Sequence, residues 1–114
     1  MNETTAKRYK IIVTIVGKGK ASRVVAASKK AGAKGGTILL GRGTAPASVY
    51  LDILGINFDP EKEIVLTLAD EDIADHLLQA MLDEGKLDLP GNGVAFVLPV
   101  KNLAGIIRLL KMTF

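Results

Sequence analysis

Two stretches gather glycines around groups able to hold an anion: GKGKAS at residues 17 to 22 and PGNG at residues 90 to 93. Glycines and lysines ahead of a helix suit phosphate, because free amides and the helix dipole both favour negative charge. GKGKAS nevertheless lacks the second glycine of a Walker A loop, and Ser22 stands where a dinucleotide fingerprint needs glycine. A strand-to-helix turn is the expected reading. PGNG is a stronger candidate, because successive amides around glycine form an anion-binding nest; a tight helix-to-strand turn is its alternative. Gly41, Arg42 and Gly43 pair bare backbone with one guanidinium, and read either as a loop hinge or as a third anion site.

Little else in the sequence is equipped for catalysis. The 114 residues contain no cysteine and one histidine, which excludes a thiol nucleophile, a disulfide framework, a Cys-based zinc site and an iron–sulfur cluster. His76 lies four residues after Asp72, as expected of a solvated helix face. Asp70, Glu71, Asp72 and Asp75 complement the dipole of a helix start. No nucleophile, base and orienting group stand at motif spacing. Much enzyme chemistry is thereby excluded, while a triad assembled only in space stays open.

The elements that position these groups follow from periodicity. Tyr9, Ile11, Val13 and Ile15 alternate with Lys10, Ile12, Thr14 and Val16, giving a first strand with one strongly apolar and one mixed face. Residues 21 to 31 form a basic helix ended by Gly32, and Thr37 to Leu40 a second strand. Ile64, Leu66 and Leu68 alternate within a third strand. Ile73, Leu77, Leu78, Met81 and Leu82 line a second helix stopped by Gly85, and residues 94 to 98 form a fourth strand.

Two strand–helix–strand units about 55 residues apart predict one α+β domain over residues 1–114. Its fold class is a ferredoxin-like double βαβ sandwich, a four-stranded antiparallel sheet with two helices on one face. Ile12, Val16, Val65 and Ala69 make the second sheet face partly apolar, and that face is expected to be buried by subunit association.

Charge is unevenly spread. Residues 1–43 carry ten Lys/Arg and one acid, whereas residues 44–114 carry five bases and eleven acids. Placing the basic helix beside the acidic one accounts for this internally. With only five Phe/Tyr in all, the stacking surface of a nucleic-acid binder is not expected. No apolar run approaches a membrane span, and the six-residue run 11–16 leads into charged residues without a cleavage site, so a cytoplasmic protein is expected.

The segment 42–60 is long for so small a domain, and such loops are usually functional. Val49, Tyr50, Leu51, Ile53, Leu54, Ile56 and Phe58 make it apolar. It is expected to pack, either as a lid on its own assembly or against a partner protein.

GNGVAFVLPV, Gly91 to Val100, resembles the C-terminal signature of the PII signal-transduction, or nitrogen-regulatory, proteins. The Gly-Gly-Thr-Ile opening of the second strand, Gly41-Arg42 at the loop root and the duplicated βαβ plan agree over residues 9 to about 107. The resemblance implies a homotrimer with inward-facing sheets and an adenine nucleotide, AMP, ADP or ATP, or another small anion, held between subunits. It also implies a regulatory binding protein, not an enzyme and without a covalent cofactor, that acts on a transporter or enzyme through its long loop. By position, Gly91, Asn92 and Gly93 would cradle phosphates, Thr37, Gly41 and Arg42 would line the opposite wall, and Tyr50, Leu51, Ile53 and Leu54 would meet the partner. The pattern is divergent. Val94 replaces a phosphate-binding lysine, Gly43 a loop-base glutamine, and Arg108 alone stands for paired tail arginines. Each lost cation removes roughly 1.5–3 kcal/mol of charge-assisted hydrogen bonding, so weaker nucleotide binding is expected. An acyl-phosphatase-type enzyme using Gly17 to Arg23 as its anion cradle, and a ligand-free structural trimer, are the alternatives.

Overall fold

The computed structural model describes residues 8–44, 60–89 and 92–104. Its elements run β1 (Tyr9–Gly17), α1 (Ala21–Lys30), β2 (Thr37–Arg42), β3 (Glu61–Asp70), α2 (Glu71–Gly85) and β4 (Gly93–Val100). The four strands form one sheet in the order β2-β3-β1-β4, every neighbouring pair antiparallel. This is the ferredoxin-like double βαβ arrangement. β1 and β2 are parallel to one another, as are β3 and β4, so each pair needs a crossover, and a helix supplies it.

Both helices cover the same sheet face. Ile12 and Val16 of β1 and Val65 and Ala69 of β3 are buried against Ala21 and Val24 of α1 and Ala74, Leu77 and Met81 of α2. This reverses the expected orientation, in which those four strand residues made the face left for neighbours. The small side chains of α1 and α2 bring the helices close, and close helices fit the smaller, mixed strand face. That face includes Thr14 and Thr67, fully buried hydroxyls without a hydrogen-bond partner among the described residues.

The open face is therefore the more apolar one. In register across the sheet lie Leu98, Ile11 and Leu68, then Phe96, Val13 and Leu66, then Val94, Ile15, Ile64 and Leu39. Phe96 is 41% exposed and Val94 50%. Ten large apolar side chains on one face that no other described element covers exceed the scatter normal for a soluble monomer surface.

Local chemistry fixes the helix ends. Asp70 caps α2, its Oδ1 accepting from the Asp72 amide at 2.9 Å. At the other end it is Lys86, not Gly85, that turns left-handed, at φ 51°. Gly85 stays helical, and a side chain there would press on Leu87, whose Cδ2 would lie 3.0 Å from its Cβ.

Candidate functional site

The GKGKAS turn joins β1 to α1, and its anion position is already taken from within the chain. Glu63 of β3 points to the helix side, and its Oε1 accepts from the amides of Gly19 and Ala21, both at 2.9 Å. This carboxylate does for α1 what a capping residue would do, since Lys20 at the N-cap makes no side-chain cap. A phosphate entering here would meet a like charge, so the expected turn reading holds and the acyl-phosphatase cradle is disfavoured. Glu63→Ala is expected to cost about 2 kcal/mol, as two charge-assisted bonds are lost, with Glu63→Gln recovering part of it. Urea denaturation with an unchanged slope would measure this.

The same turn is tied to the root of the long loop. The Lys18 amide donates to the Glu61 carbonyl at 3.2 Å, and Lys18 Nζ lies 3.0 Å from Glu61 Oε2. Gly43 donates to the Pro60 carbonyl at 2.6 Å, and Arg42 pairs in register with Glu61. Both ends of the loop thus spring side by side from the β2–β3 hairpin. Tyr50, Leu51, Ile53 and Leu54 lie outside the described residues, as does Gly91.

Thr37, Gly41 and Arg42 stand on edge strand β2. Alternation puts Thr37 and Gly41 on the open-face side, in register with Leu66 and Lys62, and Arg42 on the helix side. Thr37 and Arg42 are exposed, and Arg42 makes no ion pair among the described residues. Leu40, 80% exposed, shows that this end of β2 projects beyond the helical cover.

Asn92 and Gly93 stand at the opposite edge, where α2 turns into β4. Asn92 Nδ2 donates to the Lys86 carbonyl at 3.0 Å and its amide to that of Leu89 at 3.3 Å, so Asn92 closes the turn. Gly93 sits at φ 136°, and a Cβ there would run into the Ile15 carbonyl of β1. Both residues of the described half of PGNG therefore have structural work in the turn, which was one of its two readings.

Gly41 and Arg42 share one end of the sheet with Gly93, which aligns through Val16 and Glu63 with Leu40, whereas Thr37 aligns through Leu66 and Val13 with Phe96 in mid-sheet. The two edges are nevertheless three strand spacings apart, about 15 Å, with β1 and β3 between them. One chain does not bring Arg42 and Asn92 together. Among the described residues, no group of acids and histidine is placed to hold a metal ion, and no helix is long and apolar enough to cross a membrane.

No family model and no curated protein matches this chain. Solved structures do. The PII protein of Arabidopsis thaliana bound to citrate is similar with a TM-score of 0.65, covering 87% of this chain and 81% of its own at 19% identity. A structure described as a putative PII-like signalling protein from Thermus thermophilus is similar with a TM-score of 0.61, covering 82% of this chain and 86% of its own at 24% identity. The architecture is that of the PII-type signalling proteins.

Proposed function

We propose that this chain is a divergent PII-like signalling regulator that works as a homotrimer. It binds a small anionic ligand, an adenine nucleotide by preference, between copies and acts through the 42–60 loop on a partner transporter or enzyme. The observation that carries this reading is an aliphatic sheet face left uncovered by the other described residues, with the candidate residues Arg42 and Asn92 near opposite sheet edges. Burying the open face against other copies removes apolar surface worth about 25 cal/mol per Å². A head-to-tail ring of copies would place the β2 edge of one beside the β4 edge of the next. Arg42 would then meet the amides around Asn92 across the joint.

Thr37 and Arg42 are five residues apart on one strand, about 16 Å, and point to opposite sheet faces, so they do not converge on one phosphate. The citrate in the Arabidopsis structure supports a small anion as ligand. With hydrophobic Val94 beside the turn, a mono- or diphosphate is favoured over a triphosphate, which needs more cations.

Calorimetry with AMP, ADP, ATP and citrate tests this. Binding of ADP or AMP at least as tight as ATP is expected, weakened about tenfold or more by Arg42→Ala. Absence of heat with all four ligands would remove the nucleotide reading, and unchanged affinity in Arg42→Ala would displace the site.

A further inference from the structure

The outer, helical face has a charge pattern that neither the open sheet face nor the edge sites use. α1 carries Arg23, Lys29 and Lys30 and no acid. α2 carries five acids and no lysine or arginine. The helices are neighbours, yet among the described residues no ion pair joins them. The adjacency predicted from the charge asymmetry is present, and Arg23, Lys30 and Glu84 line one groove between the helices without an ion pair among the described residues. Arg23, Lys30, Asp83 and Glu84 are all exposed.

Between the helices runs an open groove of about 440 Å³ lined by Ala27, Ala31 and Ala80 together with Arg23, Lys30, His76 and Glu84. Alanines leave no side-chain bulk to keep a second helical layer away. The helices are antiparallel, because each runs back along its own strand and β1 is antiparallel to β3. The N-terminal end of α1, with Arg23, therefore lies at the same end as Asp83 and Glu84 of α2.

We infer that this face binds a second copy of itself about a two-fold axis parallel to the helices. Rotation about that axis lays α1 of each copy over α2 of the other, with Arg23 of one facing Asp83 and Glu84 of its partner copy. The complement to the basic stripe is thus supplied by the same chain. Exposed ion pairs are individually weak and are screened within about 8 Å at physiological ionic strength, so the association is salt-dependent. It uses neither the sheet face nor the edges, and so holds whether or not the open face forms trimers.

Sedimentation of the full chain at about 0.02 M and about 0.5 M salt is the test. Species of two or more times the high-salt mass are expected at low salt, with a dissociation constant at least tenfold lower. Two charge-reversed chains give the decisive arm: Arg23→Glu, and Asp83→Lys with Glu84→Lys. Each alone is expected to weaken the low-salt association at least tenfold, and an equal mixture to regain it, since the reversed end of α1 then meets the reversed end of α2. A wild-type mass independent of salt, association undiminished in either variant alone, or a mixture that does not associate would overturn the inference. The high-salt mass reports separately on the sheet-face trimer.

Discussion

Gly93→Ala is expected to lower stability by about 3–5 kcal/mol, the sum of a strained left-handed backbone and a steric conflict that has no flexible way out. Gly93 has φ 136°, and the obstructing atom is the Ile15 backbone carbonyl, part of the β1–β4 ladder in which Val16 pairs with Gly93. The ladder would have to open at its first rung, and Leu87 Cδ2, 3.1 Å from the added carbon, would have to move as well. For a domain of this size the change lowers the melting temperature by on the order of 15 °C or more. Gly19→Ala is the control. Gly19 is also at positive φ, 89°, but a Cβ there meets nothing within 4 Å, so only backbone strain of about 1 kcal/mol is expected. Equal melting temperatures for the two variants would contradict the close approach described at Gly93.

Val13→Asp carries the second large effect, and it falls on assembly instead of folding. Val13 lies at the middle of the open face between Phe96 and Leu66 in register, and it points away from the helices. A carboxylate there leaves the core of Ile12, Val16, Leu77 and Met81 untouched. In a trimer that buries this face, each copy would bring one unpaired charge into an apolar interior, at a cost of several kcal/mol apiece. Association weakened by at least about a thousandfold is expected, with far-ultraviolet circular dichroism retained. Thr14→Val, one residue along on the opposite face, is expected to leave assembly unchanged. A Val13→Asp protein with wild-type mass would show that the open face is not the interface.

The strand and helix plan was legible because alternation and helical spacing are local signals. Tyr9 to Gly17 and Glu61 to Asp70 both appear as period-two runs bounded by turn residues or caps. The choice of face was not. Both faces of β1 and β3 are apolar, and alternation cannot tell which face receives the helices. The informative residue is Glu63, which shares its side of the sheet with Val65 and Thr67 and must point at the α1 amides. That contact spans 42 residues and has no local signature. The candidate site divides in the same way. Arg42 at a loop root and PGNG as a turn were visible in sequence, whereas their separation at opposite edges follows only from the strand order β2-β3-β1-β4. Asn92 illustrates the overlap of roles, because the residue proposed to face an anion also holds the Lys86 carbonyl through its side chain.

The central claim is that the ligand site exists only between copies, one edge from each. It is tested most directly by calorimetric titration of ADP into oligomers assembled from Arg42→Ala and Asn92→Asp chains co-expressed in equal amounts. In a head-to-tail ring, random assortment gives about one joint in four an intact β2 wall facing an intact β4 wall. About a quarter of the wild-type sites are expected at wild-type affinity, although oligomers of either variant alone lack them. A mixed oligomer with no site of wild-type affinity would contradict it.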